Sequence, residues 1–549
     1  MAEGSDQPGS ARDPDAALSQ LAAALRDGSV GRRNGPGGRS GGDEAVAAWA
    51  ASGAMWLTGH PEGPPLSPAA AVIPALEAAA DALGRLAADR GGGVRGAALD
   101  VGELLTGRAA LRGLHRQGRV SANGSCRLLP TADGWAAVNL ARPSDVQAVA
   151  ALVERVVDGD AVAVLARGLA RLSGAELIER ATLLGLPAAV LPTEPSPGPE
   201  PFVARRLGPA RSGDAAPARP LVVDLSAMWA GPLCARLLGQ TGLRVVKVES
   251  TRRLDGTRRG HQGFFDWLHG GHESVALDLS SSSGLAALRQ FLARADVVIE
   301  SSRPRALAQF GIDAEAVVAG RPGTTWISIT GYGRTGTAGQ RVAFGDDAAV
   351  AAGLVAYDHD DRPVFCGDAI ADPITGLYAA LATLASLAAG GGHLVEVAMA
   401  AAVATTLAWP AEPRIGRRDG RDTRGIDTPA AAEPTAERRD GRDSRGIDTP
   451  AAAEPRAERP DDSDSRGIDT ADAAEPRAGR RDDRGGWIVD TAAGVQPVVR
   501  PRPPRLAPAA PRARPLGADT AAVLAELGLS PGSVGDSAHA GRARPSEPC

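Results

Sequence analysis

Between residues 220 and 330, short apolar runs alternate with helical segments, and this alternation constrains the fold more than any other feature. The runs are rich in β-branched residues, as buried strands are. Strands that alternate with helices pair in parallel, so we predict an α/β fold, a mostly parallel sheet with helices on both faces. The predicted strands are PLVVDL (220–225), LRVVKVE (243–249), SVALDL (274–279), ADVVIE (295–300) and TTWISIT (324–330), with helices over 232–240 and 283–294.

Composition divides the rest of the chain. The N-terminus is rich in Gly, Ser, Arg and Asp, and a Pro-rich stretch begins at TEPSPGPEP. Such segments bury too little apolar surface to fold. Helical patterns and the strand-like CRLLPTADGWAAVNL indicate another globular region between them. We predict disorder over 1–43, a globular region over 44–192, a linker over 193–219, the α/β domain over 220–410, disordered repeats over 411–484, a C-terminal segment over 485–530 and a disordered tail over 531–549.

The repeats have a period of 21 residues. RGIDTPAAAEP begins at residues 424 and 445, and RGIDTADAAEP begins at residue 466. A solenoid would need a buried face in every repeat. Each unit offers one isoleucine among Arg, Asp, Pro and Ala, so we predict a disordered, charge-mixed insertion.

The overall composition excludes several functional classes. The net charge of -5 is close to balance for 549 residues, so we expect no nucleic-acid partner. The four cysteines have no metal-ligand spacing, which favours reduced thiols and predicts no metal site. The acidic, polar N-terminus does not resemble a signal peptide, and no long charge-free apolar segment predicts a membrane span. We therefore expect a cytoplasmic protein without a membrane partner.

Two carboxylates precede a long apolar helix in GDAIADPITGLYAALATLASLAAGGG (367–392). Asp372 is followed by proline, which is typical of a helix N-cap. Asp368 is predicted to be a surface or loop carboxylate. On this pattern alone Asp372 is either a cap or a reactive group.

Two other motifs do not define sites. GYGRTG (331–336) fits a dinucleotide fingerprint, but the chain continues into a loop rather than a helix, which argues against a nicotinamide or flavin. His261, His269 and His272 lie close in sequence, but no carboxylate or cysteine pattern completes a metal site.

Taken in order, the motifs of residues 220–400 resemble the class III CoA-transferase family, which includes formyl-CoA and carnitine CoA-transferases (CaiB/BaiF-like). The resemblance implies a Rossmann-like sheet with a smaller α+β domain, and interlocked dimers. The matching blocks are VVDLSAMWAGPLCARLLGQTGLRVVKVES, HESVALDL, ADVVIESSRPRALAQFGI, SITGYGRTG and ADPITGLYAAL, and LGADTAAVLAELG near the C-terminus is similar to the family's last segment.

The resemblance implies a function for Asp372. In the family, the aspartate at this position attacks an acyl-CoA, and an aspartyl-CoA thioester then passes CoA to a second carboxylic acid. The expected partners are therefore an acyl-CoA and a carboxylate acceptor, with CoA as a substrate and no permanently bound cofactor. The residues that match the family's CoA contacts are Trp229, Ala230, Lys247, Arg258, Arg259, Ser301, Ser302, Ala306 and Tyr332. Ser301, Ser302 and Glu273 depart from the family's usual residues.

The N-terminal region contains a second resemblance. Residues 51–93 are similar to residues 351–392, with Ile73 in the place of Asp372, so this copy cannot carry an acyl group. Residues 120–192 resemble the family's smaller domain, which is missing from its usual place after residue 400. We expect the N-terminal region to supply that domain in rearranged order, in a homodimer or an intrachain pseudo-dimer.

Two alternatives to a CoA-transferase remain open. The family also contains α-methylacyl-CoA racemases, which use a His-Asp pair as proton donor and acceptor. Their histidine position falls at Gly345, which offers no base. The departures at Ser301, Ser302 and Glu273 favour the other alternative, a catalytically decayed partner subunit.

Overall fold

The computed structural model describes residues 14–30, 41–90, 99–156, 159–194, 199–211, 217–409, 478–492, 494–505 and 511–528. The 21-residue repeats and the predicted tail over 531–549 lie outside the described residues. Two predicted unstructured ranges contain strands: Arg480–Arg481 within the insertion predicted over 411–484, and Val203–Arg206 within the linker predicted over 193–219. Part of the segment predicted to be disordered over 1–43 is helical. Its apolar residues recur at helical spacing in ALSQLAAAL, and Leu18 and Leu25 are buried.

The helices and strands are numbered in chain order. The helices are α1 (Pro14–Arg26), α2 (Gly41–Ser52), α3 (Val72–Asp89), α4 (Val101–Arg112), α5 (Pro143–Leu152), α6 (Ala161–Leu169), α7 (Gly174–Leu184), α8 (Ala230–Gln240), α9 (Gln262–His269), α10 (Ser282–Leu292), α11 (Pro304–Ala308), α12 (Ala314–Gly320), α13 (Gly345–Ala352), α14 (Ala371–Ala388), α15 (Met399–Ala408) and α16 (Thr520–Glu526). The strands are β1 (Cys126–Pro130), β2 (Trp135–Asn139), β3 (Ala188–Val190), β4 (Val203–Arg206), β5 (Leu221–Asp224), β6 (Arg244–Ser250), β7 (Glu273–Leu277), β8 (Val297–Glu300), β9 (Thr325–Thr330), β10 (Val355–Tyr357), β11 (Pro363–Phe365), β12 (His393–Ala398), β13 (Arg480–Arg481), β14 (Trp487–Thr491) and β15 (Gly494–Pro497).

A seven-stranded sheet forms the centre of the fold, in the order β4-β12-β9-β8-β5-β6-β7. Every neighbouring pair is parallel except β12 with β4, which is antiparallel at the edge. The predicted mostly parallel sheet is therefore confirmed. The five strands predicted between 220 and 330 are β5 to β9.

Helices cover both faces of this sheet. Alternate residues of one strand point to opposite faces, so Val222 and Val223 of β5 belong to two different apolar clusters. The first cluster contains buried residues of α3, α8 and α14, and the second contains those of α10, α12 and α16. The α/β layers expected from the sequence are present.

The strand order reverses between β5 and β8. From β5 the chain builds outward through β6 and β7, and from β8 it builds the other way through β9 and β12. In sheets of this type, ligands bind in the crevice outside the carboxyl ends of the strands where the order reverses. The loops after β5 and β8 lie at that crevice.

A three-stranded antiparallel sheet, β1-β2-β3, forms a smaller α+β unit with α5, α6 and α7. One face of this sheet packs on those helices. Its other face packs on α13, β10 and β11, through an apolar cluster that includes Cys126, Leu128, Val350 and Phe365. The unit is thus placed against the segment that leads to Asp372.

Two C-terminal elements complete the described fold. The small sheet β13-β14-β15 packs against α2, and α16 packs against β7. Among the described helices, none is long and apolar enough to cross a membrane.

Candidate active site

Asp372 lies in the first turn of α14 and is partly exposed. The N-cap is Ile370, not Asp372 as the Asp-Pro pattern predicted. Ala369 has a positive φ of 44°, which closes a turn in which the Asp372 N–H donates to the Ala369 carbonyl oxygen at 3.0 Å. The carboxylate therefore does not cap its own helix and is free to act elsewhere.

The first turn of α8 faces this carboxylate. Burial raises the pKa of Asp372 to about 7, while the charge of Arg108 and a hydrogen bond from the Ala230 backbone oppose that rise. Both groups favour the ionised form. The free N–H groups of a helix N-terminus also favour negative charge, and here two such termini, those of α8 and α14, meet at one carboxylate.

Gly376 allows α8 and α14 to approach this closely. A Cβ at residue 376 would lie 2.8 Å from the Ala230 carbonyl oxygen and 3.0 Å from Leu233 Cβ. Any side chain at this position would push the helices apart. The close packing of these two helices therefore explains the glycine at residue 376.

A buried ionic network holds the loop between β5 and α8. Lys247 Nζ lies 3.1 Å from Asp255 Oδ2 and donates to the Ser226 carbonyl oxygen at 2.9 Å. Asp255 Oδ1 accepts from the backbone N–H of Met228 at 3.1 Å, and Met228 has a positive φ of 75°. A non-glycine residue in this conformation is held there by its surroundings. Lys247 therefore supports the loop from below.

Asp368 is fully buried and is not the surface carboxylate that the sequence predicted. The N-terminal region covers the turn before α14, and Arg108 Nη1 of α4 lies 3.6 Å from Asp368 Oδ1. Burial raises the pKa of Asp368, and the charges of Arg108 and Arg112 oppose this rise. The prediction failed because the covering residues are distant in the sequence.

Two more buried acids, Asp346 and Asp347, begin α13. Asn123 Nδ2 donates to Asp346 Oδ2 at 3.1 Å, and Asn139 Nδ2 donates to Asp347 Oδ1 at 3.4 Å. Burial raises the pKa of Asp346 to about 6 and that of Asp347 to about 7. Each of the three buried acids thus has a polar partner from residues 99–156.

The position of Gly345 bears on the racemase alternative. A Cβ at this residue would clash with the Ala369 carbonyl oxygen and with Asp372 Oδ2. The backbone therefore leaves no room for the histidine that a racemase would need. The close contact also places α13 directly against the carboxylate of Asp372.

The predicted CoA contacts divide into two groups. The Ala230 backbone hydrogen-bonds to Asp372, and Trp229 directly precedes Ala230 as the N-cap of α8. Tyr332 Oη donates to Asp347 Oδ2 at 3.1 Å. Ser301 and Ser302 follow β8, where Ser301 Oγ accepts from the Ala227 N–H at 3.1 Å.

The second group consists of Lys247, Arg258, Arg259 and Ala306. Lys247 is buried in its ionic network, and Arg258 Nε donates to Glu249 at 2.9 Å. Arg259 is exposed, and Ala306 lies half-buried on α11. Sequence reasoning missed Arg108, Asn123, Asn139, Asp346 and Asp347. The only available signal was the Asp-Asp pair after Gly345.

An α/β sheet that presents a partly exposed aspartate where two helices begin defines a class of site suited to acyl transfer through a carboxylate. Residues 220–435 match the model of CoA-transferase family III, which confirms the resemblance carried by the motifs. The expected enzyme class agrees with the curated relatives reported below, which are named as CoA-transferases.

Succinyl-CoA--D-citramalate CoA-transferase of Chloroflexus aurantiacus is 30% identical over 198 residues, which cover 33% of this chain and 49% of the relative. Succinate--glutarate CoA-transferase of Agrobacterium fabrum is 29% identical over 197 residues, which cover 32% of this chain and 49% of the relative. The human succinyl-CoA:glutarate CoA-transferase is 31% identical over 175 residues, which cover 30% of this chain and 40% of the relative. The chain spans about half the length of the curated relatives it matches. A crystal structure of a CAIB/BAIF family protein from Brucella suis has 29% identity and a TM-score of 0.32, and covers 34% of this chain and 54% of that one.

Proposed function

We propose that the protein is a CoA-transferase that moves CoA from an acyl-CoA to a carboxylic acid through an aspartyl-CoA thioester at Asp372. The position of the Asp372 carboxylate carries this proposal. It is partly exposed, faces the Ala230 N–H and lies where two helices begin, within the segment that matches the family model. A carboxylate is a weak nucleophile; this setting orients it, and Arg108 and the Ala230 N–H oppose the rise in its pKa that burial causes.

The proposed reaction balances without a net proton. An Asp372 oxygen attacks the thioester carbonyl carbon, the C–S bond breaks, and CoA leaves as its thiolate. The thiolate then attacks Asp372 Cγ in the mixed anhydride and releases the donor as a carboxylate. The acceptor carboxylate attacks the aspartyl thioester, and the thiolate finally attacks the acceptor's carbonyl carbon and regenerates Asp372. The N–H groups at the start of α8 would stabilise the oxyanion of each step.

The crevice between the loops after β5 and β8 is the proposed CoA site. Trp229 and Ala230 would contact the thioester end, and Ser301 and Ser302 the CoA arm. Of the other polar candidates, Lys247 and Arg258 are held in ion pairs with Asp255 and Glu249, whereas Arg259 is exposed and would lie toward the phosphates, where a guanidinium group binds well. The relatives are named for succinyl-CoA and dicarboxylic acids, which makes these compounds the first donors and acceptors to test.

We infer four further properties from the same reasoning. The order of β5 to β12 supports a doubly wound, Rossmann-like sheet. The contacts of residues 99–156 with the acids of α13 and α14 support a rearranged smaller domain that completes the site. A homodimer or pseudo-dimer and a cytoplasmic location remain proposals.

Incubation with a panel of acyl-CoAs tests this function. The protein is quenched with hydroxylamine, which converts an aspartyl thioester into a hydroxamate, and the peptides are analysed by mass spectrometry. We expect a hydroxamate at Asp372 with at least one donor, and none in Asp372→Asn. A wild-type protein that forms no adduct and binds no CoA would support the decayed-subunit alternative. Exchange of the α-proton on a branched acyl-CoA, without an adduct, would support the racemase.

A further inference from the structure

Arg108 contacts two of the segments that orient Asp372. It lies on α4, outside the residues that match the family model, and its side chain is 14% exposed. Its Cζ lies 5.2 Å from the ring centroid of Trp229 and 5.9 Å from that of Phe264. Its Nη1 lies 3.6 Å from Asp368 Oδ1. One guanidinium therefore holds an aromatic face and a buried carboxylate together.

Both contacts lead directly to the nucleophile. Trp229 is the N-cap of α8 and precedes Ala230, whose backbone hydrogen-bonds to Asp372. Asp368 lies four residues before Asp372, in the turn that starts α14. A displacement of Arg108 would loosen the α8 N-terminus and the α14 turn at once.

The charges around Asp372 are mostly negative. Asp346 and Asp347 of α13 both raise its pKa, whereas Arg108 of α4 lowers it. Asp368 carries a further carboxylate in the turn before α14, and Tyr332 is bound to Asp347. Arg112 of α4 is exposed, so water and salt screen its charge. Arg108, which is only 14% exposed, is the cation that opposes these acids at Asp372 in the described part of the chain.

We propose that Arg108 is a positioning residue for Asp372, which fixes the loop before α8 and the turn before α14 and supplies the positive charge that keeps the nucleophile ionised. This inference rests on the proposed function. A protonated carboxyl group has no anionic oxygen to attack the thioester, so the loss of this charge removes reactive enzyme at neutral pH. The contribution comes from the N-terminal region, and the α/β domain alone does not contain it.

Titration of Asp372 tests the proposal without requiring turnover. The full chain is labelled with carbon-13 at the aspartate Cγ, and the Asp372 resonance is assigned by its loss in Asp372→Asn. Arg108→Met is compared with Arg108→Lys and with the control Arg112→Met, an exposed arginine one turn further along the same helix. We expect the Asp372 midpoint to rise by about one pH unit in Arg108→Met, which lowers the reactive fraction at pH 7 by about fivefold. Arg108→Lys should keep the Asp372 midpoint close to the wild-type value, and Arg112→Met should leave the midpoint unchanged.

A double variant separates Asp372 from Asp368 as the target of the charge. Arg108→Met alone leaves Asp368 buried without a cation and can prevent folding, whereas Arg108→Met with Asp368→Asn removes both charges. We expect the Asp372 midpoint of the double variant to lie above that of Asp368→Asn alone, since both variants lack the Asp368 charge. Equal midpoints in these two variants would overturn the proposal, because Arg108 would then act only by neutralising Asp368. If no variant, including the wild type, transfers CoA, the proposed function fails while the titration still decides the role of Arg108.

Discussion

Two similar helices lie side by side in this chain, and only one of them has a carboxylate in its first turn. α3 and α14 each have 18 residues and pack against each other. The helix before each ends at a positive-φ glycine, Gly53 (88°) before α3 and Gly353 (91°) before α14. An antiparallel pairing follows each glycine, a single bridge between Gly59 and Pro65 in one case and the β10–β11 hairpin in the other.

The difference lies in what faces the first turn. Ile73 of α3 is 3% exposed and belongs to an apolar cluster. Asp372 of α14 is partly exposed, faces Ala230 and lies among Arg108, Asp346 and Asp347. The two helices thus share a scaffold and differ in the groups around the second residue, which are apolar at Ile73 and polar at Asp372.

Asp372→Asn is expected to have the largest effect on activity. The amide matches the shape of the carboxylate but cannot attack a thioester, so CoA transfer should fall by at least about 10³-fold. Enzyme assays across the acyl-CoA panel measure this loss. The matched change in the other helix, Ile73→Val, should leave the rate unchanged. Substantial residual transfer in Asp372→Asn would contradict the assignment.

Ile73→Asp tests whether an aspartate alone makes the first helix reactive. The new carboxylate would be buried in an apolar cluster, and an uncompensated buried charge costs about 3–5 kcal/mol. Denaturant unfolding should show this loss of stability, and hydroxylamine should trap no adduct at residue 73. Wild-type stability together with an adduct at residue 73 would show that an aspartate can react without the polar groups that surround Asp372.

Two glycines give opposite predictions for the same substitution. A Cβ at Gly376 of α14 would meet Ala230 and Leu233, so Gly376→Ala should cost about 1–3 kcal/mol and lower the activity. A Cβ at Gly84 of α3 meets nothing within 4 Å, so Gly84→Ala should stabilise the protein by about 0.5–1 kcal/mol. Thermal unfolding of both variants measures this. Equal effects would show that α8 and α14 do not require a close approach.

Activity and the stability that the buried acids contribute should change with pH in opposite directions. The pKa of Asp372 is raised to about 7, so transfer should rise with pH through about 7 as the carboxylate ionises. Asp346 and Asp347, like Asp372, bind protons more tightly in the folded protein than in the unfolded chain. The contribution of these three carboxyls to the free energy of unfolding should therefore be largest near pH 4 and fall as the pH rises through about 7.

A matched variant sharpens this test. Asp347→Asn removes one of the buried acids, so the fall in stability with pH should be smaller. Its transfer rate should reach half-maximum at a lower pH, because Asp347 raises the pKa of Asp372. A rate that decreases through about pH 7 would contradict an ionised nucleophile.

The sequence was sufficient where interactions are local. Strands β5 to β9 follow from apolar runs and turn residues, and Asp372 was located by the residues next to it. The buried acids were not recognised, because Asn123 and Asp346 are 223 positions apart and Asn139 and Asp347 are 208 apart. The contact between Arg108 and Asp368 was missed for the same reason, because these two residues are also far apart in the sequence. Pairings of this kind depend on how the N-terminal region packs, which no local pattern encodes.

Oxygen exchange into Asp372 tests the central claim most directly. The protein is turned over with an acyl-CoA and an acceptor acid labelled with oxygen-18 in its carboxylate, and the peptide that contains Asp368 and Asp372 is then sequenced by mass spectrometry. In the proposed reaction the acceptor oxygen becomes the bridging oxygen of the anhydride and stays on the enzyme. We therefore expect label on Asp372 and none on Asp368. CoA transfer that proceeds while Asp372 remains unlabelled would contradict the aspartyl mechanism.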